Sequence, residues 1–286
     1  MAIALANWSD SRWRVLQPAI YLVSVLPAVV CALVFPRSLP LSDVLLVGLA
    51  VVLIQHAINV FNDETDWEKG ADTEKINSWF HFHRGDAVSL KIHAWASLLV
   101  GVALGVALVI HKNRIEVLWV ALPLVLLGVL YNFSRLPLSY TRWGEWVTGI
   151  CYGPGVFGCL AYFLHPEWTF KLIVGSLAFG GLAVAVLLSH QPPQVLTDFA
   201  AGKMSFAVRY GVDKTYRTAG WLTLISLLLL TSLFFRTEGP SALNLCRLFC
   251  WFFFVVKLPE RLSPPMILKS ASLLVATLGF LLNVRV

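Results

Sequence analysis

Apolar residues run along this chain in blocks too long to be the single buried stripe of a surface helix. About 20 consecutive apolar residues cross the hydrocarbon layer of a bilayer as a helix. Scanning on that rule predicts nine such helices, at approximately 15–36, 41–61, 92–111, 115–132, 143–164, 169–189, 218–235, 241–257 and 267–284. The connections on one side are short. Two on the other, Asn62 to Lys91 and His190 to Arg217, are long and hold most of the polar residues. The pattern predicts an all-α polytopic membrane protein, a single integral-membrane domain over residues 1–286 with about nine transmembrane helices around a central cavity. The stretch from Met1 to Arg14 is short and mixed, and no small-residue cleavage site follows it, so no cleavable signal is expected.

Composition narrows the class. Of 286 residues 58% are apolar and 13% charged, and the mean hydropathy is +0.74. A soluble domain has about 45–50% apolar and about 25% charged residues, so this chain lacks the polar residues to cover a folded surface. That excludes a disordered chain, a disulfide-stapled secreted domain and a nucleic-acid binder that relies on its net charge of +6. Cys31, Cys151, Cys159, Cys246 and Cys250 all lie in apolar stretches without paired spacing and read as packing residues. Fifteen basic residues fall on the side of the two long loops and six on the other, which places the long loops in the cytoplasm. Trp8, Trp13, Trp67, Trp79, Trp143, Trp146 and Trp168, near predicted span ends, read as an interfacial belt.

Chemistry collects where the second span runs on into "QHAINVFNDETDWEKGAD". On a helix Asn59, Asn62 or Asp63, Asp66 and Gly70 share a face, which presents amides and carboxylates at the membrane edge. Gly70 can end the helix and let Asp72 fold back. Gln55 and Asn59 reach into the apolar block, and polar groups at such depth usually face a functional cavity. His56 beside them reads as a hydrogen-bonded packing residue.

"TDWEKG" from Thr65 to Gly70 recurs as "TDFAAG" from Thr197 to Gly202. The alignment sets Asn62 against Gln194 and Asn59 against Gln191, so each copy reads amide, amide, Asp at equal offsets. This predicts two pseudo-repeated halves that deliver matching groups to one cavity. Facing carboxylates with Lys203 and Arg209 nearby suit Mg²⁺ and a diphosphate, because Mg²⁺ favours a few carboxylates plus phosphate oxygens and basic residues complete the neutralisation. An apolar bundle behind such a rim suits a lipid tail.

At these residues the chain resembles the UbiA superfamily of intramembrane prenyltransferases, and most of all its 1,4-dihydroxy-2-naphthoate branch. "NDETDWEKGAD" is similar to that branch's first aspartate motif, and the resemblance implies a metal-binding role for Asn62, Asp63, Asp66 and Asp72. "QVLTDFAAGKMSFAVRYG" resembles the second motif and the stretch after it, which maps Asp198, Gly202, Lys203, Arg209 and Gly211. "YNFSRLPLSYTRWGEW" and "GPG" between them are similar to further family stretches, and the likeness runs over about residues 12 to 284. Three positions depart from the pattern: Gln194 stands where the second motif opens with Asp, Gln17 where relatives often carry Arg, and Ser205 where Thr is usual.

The resemblance implies Mg²⁺-dependent prenyl transfer from a prenyl diphosphate to an aromatic or quinone-precursor acceptor, in a bilayer and without nucleic acid. Asp63, Asp66, Asp72 and Asp198 would hold the metal, with amide oxygens from Asn62 and Gln194. Lys203 and Arg209 would offset leaving-group charge, with Arg135 as a third cation. Asp66, Asp198 and Lys203 are the residues on which catalysis would rest.

Tyr131 and Tyr152 are candidate cavity liners, and Glu145 either positions the acceptor or caps a helix. His81 and His83 read as solvent-facing, while His190 is nearer the site. A secondary carrier or a non-catalytic scaffold of the same fold is the alternative. The pattern of a CDP-alcohol phosphotransferase is not found.

Overall fold

Eight of the nine apolar blocks coincide with helices in the computed structural model, which describes residue 15 and residues 17–35, 39–71, 78–133, 135–234 and 261–283. The block at 241–257 lies outside the described residues, as do Asp72, Cys246 and Cys250. The helices are α1 (Pro18–Val34), α2 (Leu41–Lys69), α3 (Trp79–Phe82), α4 (Ala87–His111), α5 (Glu116–Asn132), α6 (Gly144–Leu164), α7 (Phe170–His190), α8 (Val195–Ala200), α9 (Phe206–Tyr210), α10 (Val212–Leu233) and α11 (Pro264–Asn283). No strand occurs among the described residues. By length and composition, α2, α4, α6, α7 with its continuation to Ala200, and α10 are able to cross a membrane, whereas α1, α5 and α11 are shorter apolar helices.

Packing explains why these blocks associate. Helix α2 runs along α4, and α7 runs along α10 and α6. The α2/α4 pair is pinned at both ends, by Asp43 with Lys112 at 2.8 Å and by Glu64 with Lys91 at 2.8 Å. In lipid the apolar effect between helices is weak, so close backbone approach through small residues matters more. Helices α6 and α7 approach in this way: a Cβ on Gly153 would sit 2.5 Å from the Ser176 carbonyl oxygen, and one on Gly180 would sit 2.7 Å from the Gly149 carbonyl oxygen. Gly149 with Gly153, and Ser176 with Gly180, are each four residues apart, so one helical face of each partner is small.

Pro154 lies inside α6 and would collide with the preceding turn of an ideal helix. Between Cys151 and Gly158 the helix widens into π geometry, in which the Cys159 N–H reaches back to the Pro154 carbonyl.

The largest buried apolar cluster joins the C-terminal ends of α1, α4, α6 and α10 to the N-terminal ends of α2, α5 and α7, at the pole away from the long loops. Towards those loops the packing opens into a cavity. Trp143, Trp146 and Trp168 are exposed, in keeping with a belt. Trp79 is not, being 9% exposed, and Trp67 stacks on Phe80 at 4.2 Å between ring centroids. Trp79 opens α3 and packs against α2 and α4, and Trp67 packs on the same helical turn, which hydropathy alone does not reveal.

Gly153→Ala is expected to lower thermal stability in detergent by about 1–3 kcal/mol, because the new methyl meets backbone instead of a movable side chain. Gly220→Ala in α10, where a Cβ meets nothing within 4 Å, is expected to hold or raise stability. Thermal unfolding of both variants beside the parent chain checks the pair.

Candidate functional site

Helix α2 continues two turns beyond its apolar block, which carries Asn62, Asp63 and Asp66 past the expected end at residue 61. It stops at Gly70, where φ is 81°, a left-handed value that glycine adopts freely. The Gly70 N–H donates to the Trp67 carbonyl at 3.1 Å and the Ala71 N–H to the Asp66 carbonyl at 2.8 Å. The second copy of the motif repeats this turn. Gly202 has φ 73°, its N–H donates to the Phe199 carbonyl at 3.1 Å, and the Lys203 N–H donates to the Asp198 carbonyl at 2.8 Å. The approach to the second copy differs: Pro192 and Pro193 interrupt the chain after α7, so Asp198 stands on the separate short helix α8.

These two turns bring Asp66 and Asp198 to one place. Asp66 is 4% and Asp198 2% exposed, and the Lys203 ammonium lies against both. Its Nζ is 3.1 Å and 3.0 Å from the two oxygens of Asp66 and 3.9 Å from Asp198 Oδ1. The Tyr140 hydroxyl donates to Asp66 Oδ1 at 2.9 Å, and the Tyr140 ring lies 5.2 Å from both Lys203 Nζ and Lys69 Nζ. Burial pushes the Lys203 pKa down, but Asp66 and then Asp198 push it up more strongly, so the net shift is upward and the amine stays charged.

Two polar networks brace this junction. The Asn132 amide donates to the Ile58 carbonyl at 2.9 Å, which leaves its oxygen to accept from Asn62 Nδ2 at 3.2 Å. That assignment turns the Asn62 oxygen away from Asn132 and makes it the atom able to serve a cation. On the other side, Glu145 Oε2 accepts from Arg209 at 2.8 Å, and its Oε1 accepts from the Phe206 N–H at 2.8 Å and from Gln191 at 3.1 Å. The Gln191 oxygen in turn accepts the Ala207 N–H at 3.2 Å. Glu145 therefore holds Arg209 and the start of α9.

The junction borders two adjacent cavities. The smaller, about 50 Å³, is polar and lined by Asn62, Asp66, Glu145, Gln194, Asp198 and Lys203 among others. The larger, about 360 Å³, is mostly apolar. Asn62, Tyr131, Leu187 and His190 line both. One face of α2 from Val47 to Asp63 lines the larger cavity, a length of about 24 Å at 1.5 Å per residue.

Among the residues singled out from the sequence, Asn62, Asp66, Gln194, Asp198 and Lys203 converge on the polar cavity. Asp63 lines the larger one instead, and its Oδ2 accepts the Trp79 N–H at 2.7 Å. Arg209 stands behind Glu145, and Arg135 is exposed and lines neither cavity. Asn59 and Gln17 line the larger cavity, whereas Gln191, the partner of Asn59 in the repeat, lines the smaller. Tyr131, Tyr152 and His190 are cavity residues as expected. His83 is half-buried and bonded to His93, contrary to a solvent-facing position.

Among the described residues no three His, Cys, Asp or Glu side chains group as a metal site. Two buried carboxylates with two amides and one ammonium do meet. Their oxygens form a hard donor set, and one ammonium leaves two carboxylates with net negative charge, which fits a small divalent cation.

Sequence reasoning gave no role to Asn132, the last residue of α5, or to Tyr140 in the connection after it, although both fall in the family-like stretch from Tyr131 to Trp146.

Comparisons with known proteins agree with this architecture. The chain is 26% identical over 208 residues to the 1,4-dihydroxy-2-naphthoate octaprenyltransferase of Bacillus subtilis, covering 70% of this chain and 65% of that protein. It is 28% identical over 235 residues to the chloroplastic 2-carboxy-1,4-naphthoquinone phytyltransferase of Arabidopsis thaliana, covering 77% and 61%. The chain thus spans somewhat under two thirds of the length of these curated relatives. A UbiA homologue from Archaeoglobus fulgidus, solved bound to GPP and Mg²⁺, superposes with TM-score 0.66 at 18% identity over 95% of this chain and 98% of that one. The UbiA prenyltransferase family model matches residues 21–278. With that match over most of its length, the chain is an integral membrane protein belonging to the UbiA prenyltransferase family.

Proposed function

We propose that this chain transfers a prenyl group from a prenyl diphosphate to an aromatic quinone precursor, 1,4-dihydroxy-2-naphthoate or a close analogue, with release of diphosphate. The observation that carries this reading is a small carboxylate-and-ammonium pocket that shares a wall, Asn62, Tyr131, Leu187 and His190, with a long apolar cavity. A prenyl diphosphate has that same division, an anionic head on an apolar tail. The naphthoate acceptors of the relatives and the GPP and Mg²⁺ bound by the Archaeoglobus protein support the same assignment.

Asp66 and Asp198, with the amide oxygens of Asn62 and Gln194, would hold Mg²⁺, and Asp63 and Asp72 are further ligands proposed from the first motif. When bound, the ion would neutralise the diphosphate and stabilise its departure. Lys203 adds positive charge at the same place, and Tyr140 keeps Asp66 oriented towards it. Such preset charge around a leaving group is usually the largest catalytic contribution. Arg209, held by Glu145, and the exposed Arg135 would attract the anionic head on entry. The allylic cation is kept from water by the apolar wall, and the Tyr131 and Tyr152 rings offer faces that attract a cation. Gln194 in place of a carboxylate lowers the charge of the second motif, so a second ion would bind less tightly than the first.

The matching turns at Gly70 and Gly202 support two repeated halves. The excess of basic residues beside the long loops supports a site facing the cytoplasm, in a cell inner membrane.

Asp66→Asn is expected to lower kcat by about 100-fold or more, the scale of losing a preset charge-stabilising group. Chelation of divalent ions should abolish turnover of the parent chain. Both are read as product mass from membranes supplied with geranyl diphosphate and a panel of hydroxylated aromatic acids. Equal turnover by Asp66→Asn and the parent would contradict the assignment.

Glu145→Gln removes the partner of Arg209 and is expected to cost about 1.5–3 kcal/mol of stability, as for a hydrogen bond to a charged group. Thermal unfolding measures it. Gly105→Leu projects into the far half of the apolar cavity and is expected to spare geranyl diphosphate while abolishing use of octaprenyl diphosphate, which paired assays with the two donors would show.

A further inference from the structure

A strip of polar side chains crosses the otherwise apolar wall of the large cavity. Gln17, Tyr21 and Ser24 follow one another at spacings of four and three along α1 and the residue before it, and Gln55, Asn59 and Asn62 do the same along α2. Each set therefore shares one helical face. Polar groups inside an apolar bundle are costly and mark a functional surface.

Several members of the strip already have neighbours. Tyr21 Oη lies 2.6 Å from His56 Nδ1 and against Asn59, Ser24 lies against Tyr152, and the Asn62 amide donates to Asn132. Gln55 differs. It is 5% exposed, its Nε2 donates to the Ile20 carbonyl of α1 at 3.2 Å, and its Oε1 is buried without a hydrogen-bond partner among the described residues. The Ile20 carbonyl fixes the orientation of the amide, because the reversed amide would set two acceptors against each other. A buried acceptor without a donor is costly, and few remain in native proteins. The group missing beside Gln55 is a hydrogen-bond donor.

Position narrows what supplies it. Gln55 stands seven residues before Asn62, about 10 Å along α2 from the wall shared with the polar pocket. A prenyl diphosphate with its head in that pocket has its reacting carbon next to the shared wall, and the ring that attacks this carbon lies within reach of Gln55. The prenyl tail has no O–H or N–H to give, whereas a hydroxylated ring has.

We propose that Gln55 Oε1 accepts a hydrogen bond from a ring hydroxyl of the aromatic acceptor, which makes Gln55 a specificity-determining residue for hydroxylated rings. This rests on the prenyl-transfer reading above. A quinone carbonyl in the same place has only lone pairs and would face the amide oxygen with repulsion, so the ring is selected in its hydroxylated, reduced form. Holding one hydroxyl on α2 also limits how the ring turns, and so orients the carbon presented to the prenyl group.

The test uses the full chain in lipid nanodiscs with Mg²⁺ and geranyl diphosphate, and measures kcat/KM for 1,4-dihydroxy-2-naphthoate, 1-hydroxy-2-naphthoate and 4-hydroxy-2-naphthoate. An analogue that does not react is scored by its inhibition constant against the dihydroxy acid. Gln55→Met keeps the length of the side chain and removes both amide groups. The parent's preference for the dihydroxy acid over at least one monohydroxy acid is expected to shrink about 10- to 100-fold in this variant. Comparing ratios between parent and variant cancels the different reactivities of the rings, and a purely structural loss would lower all three acids alike. Gln55→Glu keeps an acceptor oxygen at the same place and is expected to retain the preference. Should Gln55→Met fail to bind geranyl diphosphate, Gln55→Leu decides by the same ratios. Unchanged ratios, as a water on Gln55 in place of the acceptor would give, overturn the contact while leaving prenyl transfer standing. Equal loss of preference in Gln55→Glu and Gln55→Met overturns it too. If the parent itself forms no prenylated product with these or any other hydroxylated rings, the prenyl-transfer reading fails and the contact falls with it.

Discussion

Two carboxylates at the edge of an apolar bundle must be compensated by positive charge, and here that charge is Lys203. Its ammonium lies within 3.1 Å of Asp66 and 3.9 Å of Asp198, so it joins the end of α2 to the turn after α8. Leaving such a group without its partner costs about 3–5 kcal/mol when buried, and the two motifs are therefore held together by electrostatics as well as packing. The glycine turns at Gly70 and Gly202 make the meeting possible, because each reverses the chain just beyond an aspartate.

Around that junction the fold separates polar from apolar surface. Asn132 and Glu145 each commit their polar atoms to named partners, which keeps Asn62 and Arg209 in fixed orientations. Beyond them the cavity wall turns apolar along α2, while the clamps at Asp43 with Lys112 and Glu64 with Lys91 keep α2 and α4 in register. A site of this kind is dry on the tail side and charged on the head side. That division suits a reaction in which an anion leaves and a carbocation must not meet water.

Hydropathy made the long helices legible because each apolar block is a local property of the chain. Asp66 and Asp198 were also legible, through the repeated Thr-Asp and the glycine four residues after each Asp. Lys203 was legible as a cation one residue after the second glycine, although a lysine in a polar loop has no periodic signature. The ion pair of Glu145 with Arg209 was not legible: its partners come from α6 and α9, and no local pattern links them. His83 seemed a solvent-facing loop residue because the packing of α3 leaves no trace in hydropathy. Trp79 was misplaced in an interfacial belt on the same grounds. Gln191 shows the limit of the repeat, because two prolines redirect the second copy and put its amide in a different cavity from Asn59.

The central claim is that the polar pocket and the apolar cavity bind one molecule, head and tail together. The most direct measurement is an experimental structure of the chain in lipid with geranyl diphosphate and Mn²⁺ in place of Mg²⁺, with the ion located by its anomalous signal. The account predicts the ion among Asn62, Asp66, Gln194 and Asp198, the diphosphate beside Lys203 and the geranyl chain along the Val47 to Asp63 face of α2. An ion or diphosphate bound elsewhere, with that pocket still closed by Lys203, would contradict it.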